Sequence, residues 1–146
     1  MSLEALRKLR AQTVETLMME LAKITRTLAQ CEERYQHLDA QIQQEVVTYE
    51  RQSAQGLMIE AWVEWQGRMD SQQAALRRAR REIDHAVEAW QQTKALLVEA
   101  SLERKLLDVV ADKRRDAQRA DAARQEQRAT DEAASRGYVT RRENQS

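Results

Sequence analysis

The chain has no proline and no phenylalanine, and only three glycines and one cysteine in 146 residues. Average usage would supply roughly seven prolines and ten glycines at this length. Without them there is little material for tight turns, which excludes β-sandwiches, barrels and any fold that reverses direction often. The single Cys31 cannot form an internal disulfide. Neither sign of charge is in excess, with Lys and Arg totalling 24 and Asp and Glu totalling 24. The basic surplus of a protein that works by neutralising phosphates is therefore missing. No apolar run approaches the roughly 18 residues of a membrane span. The opening MSLEALRKLR, one acid and three bases among its leucines, is no secretory segment. These absences predict a soluble intracellular protein.

What is present favours helix. Apolar residues make up 42%, but 22 of them are alanine, and charged residues reach 33%. Such a chain forms long amphipathic helices and cannot fill a large compact core, which excludes most enzymes. From Val14 the apolar positions alternate at spacings of three and four: Leu17, Leu21, Ile24, Leu28, Cys31, Tyr35, Leu38 and Ile42, then Val46 and Tyr49. This is a coiled-coil seam over about five heptads. Leu3 and Leu6 extend it upstream with a change of phase near Arg10, as a stutter would give. A second seam follows at sevenfold spacing through Trp62, Met69, Leu76, Ile83, Trp90 and Leu97. Ala79, Ala86, Ala100 and Leu107 fill the intervening positions. Gly67 lies within this stretch and could mark a bend after the turn.

Between the seams stands Ser53-Ala54-Gln55-Gly56-Leu57, where Gly56 can adopt the positive φ that ends a helix. If the chain folds back there, facing residues share one sum of residue numbers. Leu21 with Trp90, Leu28 with Ile83, Tyr35 with Leu76, Ile42 with Met69 and Tyr49 with Trp62 all do. Half of that sum falls between Gln55 and Gly56. The expected fold class is thus all-α: a long antiparallel two-helix coiled-coil hairpin forming one domain. Helix one is expected over about 3–52, the turn over 53–57, helix two over 58–136, and a frayed tail over 137–146 after Gly137.

In this pairing Leu3 lies level with Asp108, and the large apolar residues of helix two stop at Val110. The remainder is alanine and charge, and it still favours helix. Helix two should overhang by about 26 residues, roughly 39 Å at 1.5 Å each. A helix polar all round awaits a partner or frays. Lys113, Arg114, Arg115, Arg119, Arg124 and Arg128 alternate there with Asp112, Asp116, Asp121 and Glu126. That pattern suits a slender helix entering a protein channel better than one lying on DNA.

Chemistry has no foothold in the residues. His37 and His85 read as exposed helix-surface histidines, and Cys31 as a small seam hydrophobe. No phosphate loop, H-E-x-x-H or nucleophile elbow is present. No catalytic residue, metal ligand or cofactor is expected. Tyr49, Trp62 and Trp65 should cluster at the hairpin tip, where two helices cannot cover them all, and Trp and Tyr are frequent interface anchors. Arg77, Arg78, Arg80 and Arg81 form a basic patch, expected to be partly neutralised by Glu32 and Glu33 across the hairpin.

Several stretches resemble a known family. The LRKLR of Leu6–Arg10, Glu88-Ala89-Trp90 and ERKLLDVVADKRR from Glu103 are similar to the flagellar export protein family FliJ. So is ARQEQRATDEAA ending at Ala134, like that family's closing R-x-E-Q-x-x-x-D-E-x-A. The YscO and HrpO proteins of virulence type III secretion share the fold. The resemblance implies a non-enzymatic central stalk of a type III protein export apparatus, flagellar or virulence. Such a stalk sits in the pore of a hexameric export ATPase, reaches the cytoplasmic domain of the export gate and binds export chaperones. It would be cytoplasmic, at the inner-membrane face of the apparatus. Mapped onto this chain, the ring contact falls to Leu3, Leu6, Arg7, Arg10, Lys113, Arg114, Arg115, Arg119, Arg124, Asp131 and Glu132. The gate or partner contact falls to Tyr49, Trp62, Trp65, Arg77, Arg78, Arg80 and Arg81. The aromatic-rich stretch that flagellar members carry around the turn is not reproduced here. Two other readings stay open: an export chaperone or adaptor that escorts secreted substrates, and a self-associating structural coiled coil. No nucleic acid and no membrane span is expected.

Overall fold

The computed structural model describes residues 2–145 as two long helices, α1 (Leu3–Ala54) and α2 (Ile59–Gln145), that pack as an antiparallel helical hairpin. Among the described residues there is no strand. The start of α1 is set by Ser2, whose hydroxyl accepts the Ala5 amide at 3.1 Å while its carbonyl accepts the Leu6 amide at 3.0 Å. This satisfies donors that the first helical turn leaves without partners. Glu4 adds a negative charge in that turn, where the helix dipole favours it.

The reversal is short. Bonds from the Gln55 amide to the Gln52 carbonyl and from the Gly56 amide to the Ser53 carbonyl tighten the end of α1. Gly56 then takes φ +94°, and no non-glycine residue among those described has positive φ. α1 thus runs to Ala54, two residues past the expected end, and the loop occupies Gln55–Met58. α2 is helical through Gly67, so the loop is no longer than Gln55–Met58.

The expected stop at Gly137 and the frayed tail behind it are corrected: α2 remains helical to Gln145. Gly137 keeps an ordinary φ, and a lone glycine costs a helix only about 1 kcal/mol against alanine. No proline follows it, and the Thr140 hydroxyl donates to the Arg136 carbonyl at 2.9 Å across the same turn.

By contacts the chain divides into two compact units, one formed by residues 12–100 and the other by the residues up to Ala11 with 101–145. In the 12–100 unit the buried residues are Val14, Met69, Ala79, Ile83, Ala86, Thr93 and Ala100. Half-buried Leu17, Leu21, Ile24, Leu28, Cys31, Tyr35, Leu38 and Ile42 complete the seam of α1. Its register differs from the expected one by three residues. Tyr49 stacks on Trp65, ring centroids 3.9 Å apart and planes 18° apart, instead of facing Trp62. The Trp90 indole donates to Thr25 Oγ1 at 3.2 Å, Gln72 Nε2 to Glu45 Oε1 at 2.8 Å, and Arg34 pairs with Glu82 at 2.8 Å. Continued along both helices, this register sets Tyr35 level with Ala79, Leu28 with Ala86, Leu21 with Thr93 and Val14 with Ala100. The physical reason is layer volume. A two-helix layer holds two side chains, and a large residue opposite an alanine lets the backbones approach and close the seam.

The two glycines of this unit make opposite predictions. Gly56→Ala forces a side chain into a left-handed conformation and should lower stability by about 1–2 kcal/mol. At Gly67 a Cβ would meet nothing within 4 Å, so Gly67→Ala should raise stability by up to about 1 kcal/mol. Thermal unfolding of the full chain followed by circular dichroism checks both signs.

Candidate functional site

In the terminal unit charge joins the apolar seam. Arg7 and Arg10 reach across from α1 beside half-buried Leu3 and Leu6. Arg7 donates through Nε (3.1 Å) and Nη2 (2.9 Å) to Asp108 Oδ1, and through Nη1 (2.9 Å) to Glu4. Arg10 Nη1 lies 2.9 Å from Glu103 Oε2. The hydrogen bond to Asp108, and then that to Glu4, raises the Arg7 pKa further above its ordinary value, so the guanidinium stays charged. Because Arg7, not Leu3, meets Asp108, Leu3 comes level with Ala111, which is buried. The expected pairing of Leu3 with Asp108 is corrected accordingly.

Aliphatic residues in the same unit face outward. Leu102, Leu106, Val109 and Val110 on α2 and Leu9 on α1 are exposed, Leu106 to 66%. Leu102, Leu106 and Val109 recur at helical spacing, so they form one stripe. An open groove beside it is lined by Leu6, Arg10, Glu103, Leu106 and Leu107. Clustered exposed aliphatics of this kind mark interaction surfaces. Beyond Ala111 every described residue is exposed. Arg115 pairs with Asp112, Arg124 with Asp121 at 3.1 Å, Arg136 with Glu132 at 3.9 Å, and Gln127 donates to Asp131 at 3.1 Å. Lys113, Arg114 and Arg119 have no acidic partner within ion-pair distance among the described residues.

The expected ring-contact residues therefore fall into three groups. Leu3 and Leu6 are half-buried against α2, and Arg7 and Arg10 are engaged within the unit. Arg115, Arg124, Asp131 and Glu132 have local partners, which leaves Lys113, Arg114 and Arg119 as open charges. Sequence reasoning missed Leu102, Leu106, Val109 and Val110. It read them only as the end of α2's apolar run, although the spacing of four and three in Leu102, Leu106 and Val109 lies off the seam positions and would have flagged a second face.

The 12–100 unit carries the other expected residues. Tyr49 and Trp65 are brought together, but Trp62 is not part of their stack and stays 40% exposed. Trp62 instead continues an apolar surface with Met58, Ile59 and Val63 next to the loop. Along α2, Arg80 pairs with Asp84 at 3.5 Å, and Glu82 is taken by Arg34. Arg77, Arg78 and Arg81 have no ion-pair partner among the described residues, and the expected neutralisation by Glu32 and Glu33 is not formed. His37 and His85 are exposed and Cys31 half-buried. No group of three or more His, Cys, Asp or Glu able to hold a metal occurs among the described residues. No described helix is long and apolar enough to cross a membrane.

Comparison with known families is decisive at this point. The family model described as Flagellar FliJ protein matches residues 1–143, nearly the whole chain. The chain belongs to the FliJ family. No match was found among curated proteins or among solved structures. Family membership makes this a flagellar export-related protein. Its exposed surfaces are of two kinds, aliphatic with dispersed charge in the terminal unit, and aromatic with unpaired arginine in the 12–100 unit.

The ionic seam of the terminal unit gives a direct test. Asp108→Ala leaves Arg7 with Glu4 alone and should speed amide hydrogen exchange of residues 3–11 several-fold. Exchange in the 12–100 unit should be unchanged. Equal protection in both proteins would mean that Leu3 and Leu6 hold that segment unaided.

Proposed function

We propose that this FliJ-family protein is a non-enzymatic central-stalk component of the flagellar protein export apparatus. Its terminal unit enters the pore of the hexameric export ATPase. Its 12–100 unit presents Tyr49, Trp62, Trp65 and the arginines 77, 78, 80 and 81 toward the export gate's cytoplasmic domain, and export chaperones dock on the same protein. It works in the cytoplasm at the inner-membrane face of the apparatus. The observation that carries this reading is the combination of ion pairs across the terminal unit with an exposed aliphatic stripe on it. Arginines there are spent on holding α1 to α2, while Leu102, Leu106, Val109 and Val110 face outward ahead of a helix exposed on all sides. A surface of that kind is suited to being encircled: the aliphatic stripe is covered from outside, and the charges of the exposed helix meet the walls of a polar channel.

The mechanism is mechanical. One asymmetric helix pair inside a sixfold ring touches each subunit differently, so it favours some nucleotide states of the ring's sites over others. Only such differential affinity can shift an equilibrium between states. Arg114 and Arg119 supply charge on the exposed helix, and Leu106 supplies apolar area closer to the hairpin.

The test is ATPase stimulation. Removal of residues 111–146 should abolish stimulation of the cognate export ATPase while the 12–100 unit keeps its helicity. Leu102→Glu with Leu106→Glu should reduce it strongly, because burying two carboxylates in the ring would cost several kcal/mol. Stimulation undiminished by either change would refute insertion of this unit into the ring.

A further inference from the structure

The large residues of α2 that recur every seven positions lie on the seam in either of two alignments of the hairpin. In the observed one Leu76 is level with Leu38 and Ile83 with Cys31. With the helices displaced by three residues, about 4.5 Å, Leu76 would be level with Tyr35 and Ile83 with Leu28. The displaced alignment would also set Trp62, now 40% exposed, against Tyr49. Large apolar residues therefore reach the seam in both, although only the observed alignment also buries Ala79, Ala86 and Ala100 there. What the observed alignment has besides, and the other lacks, is polar: the Gln72 amide donating to Glu45 Oε1 at 2.8 Å inside the seam, with Trp90 donating to Thr25 one side away.

The Glu45–Gln72 contact is not a bargain in stability. Glu45 Oε2 and Gln72 Oε1 are both buried and without a hydrogen-bond partner, and buried polar atoms left unpaired are destabilising. A polar layer that costs stability within an apolar coiled coil is the best-attested means of fixing its register. We propose that Glu45 and Gln72 are a register lock, selecting for the 12–100 unit one of two alignments three residues apart. The choice has a surface consequence. In the displaced alignment Arg34 would leave Glu82 and come level with Arg77, so the basic face of α2 would be rearranged. The lock thus also sets which charges that face presents.

Disulfide trapping in the full chain carrying Cys31→Ser tests this. Tyr35→Cys with Ala79→Cys reports the observed alignment, and Tyr35→Cys with Leu76→Cys reports the displaced one, each read by peptide mapping after oxidation. With the lock intact only the first pair should close. With Glu45→Leu and Gln72→Leu added, the displaced pair should close detectably beside the first, in a protein of unchanged helicity and higher Tm. The exchange Glu45→Gln with Gln72→Glu restores a donor and an acceptor and should return the first pair alone; it decides the matter should the leucine variant not fold. The proposal is overturned if the leucine variant closes only the first pair. It is equally overturned if the displaced pair already closes with the lock intact, or if the exchanged variant closes both.

Discussion

Everything in this molecule follows from the thinness of a two-helix seam. Each layer contains one side chain from α1 and one from α2, and among the described residues no large side chain is fully covered. A three- or four-helix bundle can hide a misfit behind a third neighbour; a hairpin cannot. Volume complementarity therefore acts layer by layer, and alanine is as informative as leucine. Ala79, Ala86 and Ala100 are more completely buried than any of the leucines because each lies level with a larger residue of α1. The same thinness leaves Trp62, Met58 and Ile59 in solvent, since among the described residues no third element covers them.

Much of the fold was legible because the chain's few turn formers left one place to reverse. The spacing of Val14, Leu17, Leu21 and Ile24 identified the buried face of α1, and Gly56 identified the reversal. Register was not legible from large residues alone. Matching Leu with Trp and Tyr with Trp ignored the alanines, and that moved every layer by three residues. The continuation of α2 through Gly137 was missed for a related reason. A glycine stops a helix only where the chain can adopt a left-handed turn and capture the freed carbonyls, and here the next residues extend the helix instead.

The exposed surfaces were less visible still. Arg7 and Arg10 looked like open charges from sequence because their acids, Asp108 and Glu103, lie some ninety to a hundred positions away and become neighbours only in the hairpin. Conversely, Leu106 and Val109 were read only as the end of an apolar run, with no face assigned to them. One exchange of roles, with charge used for cohesion and aliphatic surface left outside, explains both errors. It also separates the two units in character. The 12–100 unit is held by apolar layers with a few polar crossings, the terminal one by ion pairs beside Leu3, Leu6 and Ala111.

The helix beyond Ala111 has a kinetic and entropic character of its own. Forming a helix in isolation is limited by its first turn, in which several residues are fixed for a single hydrogen bond. Residues 112–145 never face that step, because their first turn grows from one already packed against α1. They need only propagate, with alanine, arginine and glutamine among the better residues for doing so. A segment prepared in this way loses little further freedom when a partner closes around it, and that small loss favours association. The packed turns at Leu107 and Ala111 therefore act at a distance, as the template from which a bare helix is drawn.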